Sequence, residues 1–271
     1  MQFVFLLVTL LLILPTLSAQ NASYLGFDRN DYPGDANLKS LRQHFSYAGY
    51  WLNNPPGTKS NFWTGHRAAV ESAGFGFLVL FNGRLYAQLK NVEHAKRLGY
   101  LDAQAAIAAA EREGFPLKII IFLDQEQGGA MLPEQKAYIY AWVDGVVAAG
   151  FRAGIYCSGM VSPDENRVIT AKDIRKHAAG RDITYWVTND ACPPSPGCSV
   201  SPHPPSPAQS GLDFAEVWQF AQSPQRKDVA AHCINYNRDH NCYPPGSGPQ
   251  QGLHIDLNSA TSPDPSHGRT R

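Results

Sequence analysis

Short apolar runs recur along the chain, each rich in β-branched and aromatic residues, and amphipathic stretches separate the early ones. Runs of this length and composition predict strands. They fall at Tyr24–Asp28, Tyr47–Leu52, Gly76–Phe81, Lys118–Asp124, Ala153–Cys157, Ile183–Thr188, Glu216–Ala221 and Leu253–Leu257. The intervening periodicity predicts helices over Ala36–Phe45, Thr64–Ala73, Ala95–Glu113, Pro133–Ala149 and Ala171–Ala179. The third contains LDAQAAIAAAERE, a run of strong helix formers. The fourth opens with Pro133 in its first turn and closes before Gly150.

Five β-then-α units in series imply a parallel sheet covered by helices. Eight strands in a chain of 271 residues suit an α/β barrel of TIM type with a helix-poor C-terminal third. The segment CPPSPGCSVSPHPPSPAQSG carries too much proline for a helix and is expected to be a surface excursion. Residues 20–258 are expected to form one barrel domain, and the polar residues 259–271 a disordered tail.

The N-terminus changes the picture of where the protein works. An apolar run from Phe3 to Leu14 is followed by Pro15 and the small-residue site Leu17-Ser18-Ala19. This is expected to be a signal peptide over residues 1–19, although no Lys or Arg precedes the run; an uncleaved anchor is the alternative. Export places the protein outside the cell or in a periplasm, without membrane insertion after cleavage. Five cysteines fit that compartment. Cys192 with Cys198, and Cys233 with Cys242, are expected to close two short loops as disulfides. Cys157, in GIYCSG, is left over as a small buried residue. Asn21-Ala22-Ser23 is a glycosylation sequon in a eukaryotic host. Formal net charge is zero, so no basic stripe marks a nucleic-acid partner. The nine histidines fall in no metal-ligand spacing, and no metal or cofactor is expected. A monomer is expected.

Candidate chemistry lies at the strand ends. Asp124 and Glu126 follow the run KIIIFL directly. Residues two apart on a strand share a face, with Cα atoms roughly 6.6 Å apart. Asp28 in YLGFD and Asp256 in LHIDLN also follow apolar runs, as does Asp190, which is expected to be structural because it starts the cysteine loop. Barrel sites sit at the C-terminal ends of strands, so Asp28, Asp124, Glu126 and Asp256 are expected at one mouth. Clustered carboxylates repel, and at least one should hold a proton near neutral pH. A protonated acid beside ionised ones is what glycosidic cleavage requires. Any single one of these acids is as readily a helix cap or loop ligand. Tyr32, Tyr156, Trp186 and Trp218 lie at or near strand ends, where a ring can stack on a sugar, but Trp218 suits a core equally well. Arg84, after FNG, either binds an acidic sugar or pairs with one of the acids and holds it ionised.

The order of these motifs resembles a known family. GFDRNDYPG at residues 26–34 resembles the G-x-D-x-x-x-Y-x-G opening of glycoside hydrolase family 25, the Chalaropsis-type lysozymes. LDQE resembles its D-x-E on strand four, GIYCS its fifth strand, and VWQF followed by IDLN its closing W-Q-[YF] and V-D-x-N pair. The run from Ala95 to Ala106 is closer to a sister group of exported bacterial glycoside hydrolase-like barrels of unknown function. The sixth strand, YWVTND, departs from the lysozyme pattern, as do the proline-rich loop and the segment holding Cys233 and Cys242. The resemblance implies a (β/α)₅β₃ barrel, Glu126 as general acid, and Asp28, Asp124 and Asp256 as supporting carboxylates. It implies a peptidoglycan-type polysaccharide as substrate, with either the 2-acetamido oxygen or a water attacking the anomeric carbon. The rival is a non-catalytic barrel that binds cell-wall glycan. A chitinase-like pattern would need acids where Ile119 and Phe122 stand.

Overall fold

The computed structural model describes residues 22–163, 166–190, 200, 203–222 and 253–270. Eight strands close into a barrel in chain order. They are β1 (Tyr24–Asp28), β2 (Tyr47–Trp51), β3 (Gly76–Asn82), β4 (Ile120–Asp124), β5 (Arg152–Ser158), β6 (Ile183–Thr188), β7 (Ala215–Ala221) and β8 (Asp256–Ala260). Helices α1 (Asp35–Arg42), α2 (Arg67–Ser72), α3 (Val92–Arg112), α4 (Pro133–Ala148) and α5 (Thr170–Lys176) each follow one of the first five strands. The fold is therefore a (β/α)₅β₃ barrel of TIM type, as the alternation predicts. The described residues put one 3₁₀ turn, Pro207–Ser210, between β6 and β7.

The strands read as continuous apolar runs because both faces are covered: β4 is buried at all five positions. Outside it, α3 lies so close to α4 that a Cβ on Gly99 would stand 2.3 Å from the Tyr138 carbonyl oxygen. The alanines of the third predicted helix thus serve packing as well as propensity: Ala95, Ala103, Ala106 and Ala110 are fully buried. Asn91 caps α3 by accepting the His94 N–H at 2.9 Å. Two boundaries differ for local reasons. α2 starts at Arg67 and not at Thr64, because Trp63 is drawn into the core and the Gly65 N–H is taken by the Glu113 carboxylate. β4 starts at Ile120 because Lys118 adopts φ 66°. No helix among the described residues is long and apolar enough to cross a membrane. Residues 1–19, Asn21, Cys192, Cys198, Cys233 and Cys242 lie outside the described residues. Cys157 is a free, fully buried thiol on β5, pushed up by burial.

The last strand runs against its neighbours. β8 pairs antiparallel with both β7 and β1, with Asp256 opposite Asp28 and Ala260 opposite Tyr24. It occupies Asp256–Ala260, three residues later than the pattern predicts, because Asn258 and Ser259 are polar yet wholly buried in the barrel wall.

The expectation of a disordered tail is corrected. Residues 261–270 form a strap under the barrel, where they satisfy strand N–H groups that nothing else reaches. Asp264 Oδ1 accepts the Phe77 N–H at 2.8 Å and the Gly268 N–H at 3.1 Å, and Oδ2 accepts the Arg269 N–H at 3.1 Å. Ser266 Oγ accepts the Val79 N–H at 2.8 Å, and the Ser266 carbonyl accepts the Ile120 N–H at 2.9 Å. Arg67 donates to the Gly268 carbonyl at 2.8 Å. The polarity that suggested disorder is the strap's means of attachment. Asp264→Ala should cost about 1–3 kcal/mol, because it orphans the N–H groups it caps; urea unfolding of the two proteins measures the difference, and equal midpoints would remove the strap from the fold's stability.

Candidate active site

Asp28 ends β1 and Asp124 ends β4, so both reach the mouth where strand C-termini gather. Asp256 reaches the same mouth by a different route. It opens β8, and the reversed direction of β8 brings its first residue beside the last residue of β1. The four predicted acids, Asp28, Asp124, Glu126 and Asp256, line one hollow of about 150 Å³ together with Asn30, Trp51, Tyr156, Trp186 and Gln219. Gly49 on β2 makes room for Asp28: a Cβ there would stand 2.6 Å from the Asp28 Cβ.

A network of neutral donors holds the hollow. Asn258 Nδ2 donates to Asp28 Oδ1 at 2.6 Å, and Gln219 Nε2 donates to the same oxygen at 3.0 Å and to Asp256 Oδ2 at 3.3 Å. The two amides are themselves oriented. The Tyr156 hydroxyl donates to Gln219 Oε1 at 2.8 Å, and the Trp186 indole N–H donates to Asn258 Oδ1 at 2.9 Å. Tyr156 and Trp186, 4.3 Å apart between ring centroids, are two nearly buried rings in the wall of the hollow. Sequence patterning did not single out Gln219 and Asn258. Each sits inside a quoted motif, VWQF or IDLN, but its partners come from strands far away in the chain.

The electrostatics follow from burial. Asp28 is pushed up to about 6, mainly by loss of water; the hydrogen bonds from Asn258 and Gln219 pull the other way and the Glu126 charge adds to the rise. Asp124 is held well above the carboxylate range by burial first, then by the charge of Glu126, the hydrogen bond to it, and the charge of Asp28. Its Oδ1 is buried and receives no N–H or O–H donor among the described residues. Glu126 is also raised, by crowding of protein atoms, and its hydrogen bond with Asp124 offsets part of the rise. Glu126 is nevertheless the exposed member of the pair. Asp124 and Glu126 therefore titrate as a unit that retains one proton more readily than two free carboxyls would.

Glu126 also borders a second, larger space. A cleft of about 720 Å³ runs from it between the loop after β2 (Asn53, Asn54, Pro56) and the end of β3 with its following loop (Asn82, Arg84, Leu85), along one side of α3. Its size is that of a small-ligand site, whereas the hollow alone is below the usual range of ~300–1,000 Å³. Arg84 lines this cleft but pairs with none of the four acids: it forms a two-pronged pair with Asp102 on α3 at 2.7 Å for each contact.

Two predicted sugar-stacking residues do not reach the hollow. Trp218 is wholly buried, and its indole N–H donates to the Asn189 carbonyl at 3.0 Å. It neighbours the inward Gln219 on β7, so it must face the other way. Tyr32 stacks on His66 at 4.0 Å between centroids, meets Trp63 edge-on and donates to Asp35, on the loop after β1. Asp190, expected to be structural, is wholly buried and does not line the hollow.

The closed barrel of this strand order, with carboxylates gathered at its mouth, is a glycoside hydrolase-like barrel. The chain belongs to the Rv2525c-like, glycoside hydrolase-like domain family, whose profile matches residues 44–196. Among curated proteins none matches the sequence. Solved structures share the fold. An uncharacterized protein of B. stearothermophilus aligns with TM-score 0.54 at 17% identity, over 88% of this chain and 95% of its own. The Tat-secreted protein Rv2525c of Mycobacterium tuberculosis, in complex with L-tartrate, aligns with TM-score 0.53 at 14% identity, over 90% and 98%. A family 25 glycosyl hydrolase from Bacillus anthracis aligns with TM-score 0.49 at 10% identity, over 88% and 89%.

The raised Asp28 makes a prediction of definite sign. Its folded value of about 6 exceeds the ordinary 3.8, so the folded state keeps a proton that the unfolded chain has lost. That contribution is fully present below about pH 4 and is lost as pH rises through 6. The loss is on the order of 3 kcal/mol by pH 7. Asp28→Asn should remove this fall, so that the variant gains on wild type between pH 4 and pH 7. Thermal melts across that range test it; parallel curves would show that Asp28 does not titrate abnormally.

Proposed function

We propose that the protein is a secreted glycosidase that cleaves peptidoglycan-type polysaccharide by carboxylate acid/base catalysis. One observation carries the reading: Glu126 is exposed where the acid-lined hollow meets the cleft, and it shares a hydrogen bond with a buried acid whose proton is hard to remove. A glycan lying from cleft to hollow would pass its bridging oxygen over that carboxyl. The proton of the Asp124–Glu126 pair moves through Glu126 to this oxygen as the bond to the anomeric carbon breaks. Positive charge then develops on the sugar ring, and the carboxylates of the hollow stabilise it. Water then attacks the anomeric carbon directly, or opens the oxazolinium that the 2-acetamido oxygen forms first, and in either route the proton lost by that water returns to the pair. Tyr156 and Trp186 offer apolar surface at the wall of the hollow. The apolar segment Phe3–Leu14 with Ala19 supports export.

The mature protein should release new reducing ends from purified cell-wall glycan. Glu126→Gln should lower the rate by ~10²–10⁴-fold while still co-sedimenting with the wall. Equal release by both proteins would remove Glu126 from the acid role. Co-sedimentation without release from any wall type would make this a non-catalytic wall-binding barrel.

A further inference from the structure

Arg84 is built as carefully as the acids, yet it stands apart from them. Its Nε and Nη2 donate to the two oxygens of Asp102, each at 2.7 Å. Asp102 is buried on α3 and also accepts the hydroxyl of Tyr138, from α4, at 2.9 Å. Buried groups of two helices thus fix the plane of the guanidinium. The fork remains 37% exposed on the cleft, and Nη1 donates to no protein group among the described residues. A guanidinium held in this way loses little freedom when it binds a planar anion, and its free edge presents donors matched to a carboxylate. Its surroundings suit a sugar that carries an acid. Asn53, Asn82 and Gln88 line the cleft and hold its loops by hydrogen bonds to their backbone, and Arg112 supplies a second cation. Along α3 the cleft is lined by Asp102, Ala105, Ala109 and Arg112, a span of about 15 Å at helical rise. The two alanines leave a trough between the two charged ends.

We propose that the cleft beside Glu126 is a subsite for a carboxylate-bearing sugar, with Arg84 as the receptor for its acid group and Asp102 and Tyr138 as the residues that position Arg84. This rests on the reading of Glu126 and the hollow as a glycan site. Two sugars share the required chemistry: a hexuronate, and an amino sugar bearing a lactyl ether.

The test uses the full mature chain carrying Glu126→Gln, so that nothing is turned over, and titration calorimetry. The probes are a tetrasaccharide of alternating N-acetylglucosamine and N-acetylmuramic acid with free carboxylates, its methyl ester, an N-acetylglucosamine tetramer and a glucuronate tetramer. At least one acidic probe should bind tenfold or more tighter than the uncharged tetramers, and the lactyl acid should differ from its ester by that factor if the lactyl sugar is the ligand. Preference between the two acidic probes identifies the source. Adding Arg84→Gln should abolish the preference for acid and leave binding of the ester and the neutral tetramer unchanged; Arg84→Lys, which keeps the charge without the fork, should retain only part of it. Equal binding of acidic and neutral probes overturns the proposal while leaving the glycan site standing, and this comparison needs no Arg84 variant. Loss of acidic and neutral binding alike in Arg84→Gln, with an unchanged melting temperature, also overturns it. Failure of every probe to bind overturns both the subsite and the glycan site.

Discussion

Asp28 is a carboxyl group inside a barrel, and two amides, not a cation, hold it there. The rest of the site depends on that choice. Each neutral hydrogen bond contributes about 1 kcal/mol net, whereas burying an ionised carboxylate costs several. The amides therefore orient Asp28 without forcing it to ionise. An arginine in place of Gln219 would have clamped it as a permanent anion. The same choice requires that each amide be held one way round, and the Tyr156 hydroxyl and the Trp186 indole do this by donating to the amide oxygens. The aromatic residues near the mouth thus have a polar task besides offering a surface.

Charge is partitioned in the same spirit. Arg84 is turned onto Asp102, away from Asp124 and Glu126. The acids keep one another's company, and burial first, then their mutual repulsion, favours a retained proton among them. The Arg84 guanidinium and the clustered acids line adjoining spaces that share Glu126 and Pro56 as a border.

Much of the barrel was legible in the sequence, because buried parallel strands appear as short apolar runs; β1 and β6 fall at Tyr24–Asp28 and Ile183–Thr188, where the pattern places them. β8 was misplaced because Asn258 and Ser259 look like loop residues until a neighbouring strand supplies their partners. The gathering of Asp28, Asp124, Glu126 and Asp256 at one mouth was also legible, though Asp256 arrives from the opposite end of its strand to the one assumed. Gln219 and Asn258 were not, since an amide declares no role without its partner. Strand parity carries the missing signal: Gln219 and Trp218 are adjacent on β7, so one facing inward obliges the other to face outward. The strap at 261–270 was unreadable for a related reason. Aspartate and serine are common in disordered tails, and nothing local says that Asp264 and Ser266 meet N–H groups of β3.

Asp28 and Asn258 are 230 positions apart, and β8 has an antiparallel partner on each side, β7 and β1. The ribosome delivers β8 last. While residues 29–255 are being made, β1 must wait with one edge open, and β7 in its turn waits with another. Both are apolar ribbons with unused N–H and C=O groups, the form most prone to pair with a stranger. The strand that brings Asp256 to the mouth is therefore also the one whose arrival covers both edges and seals the cylinder.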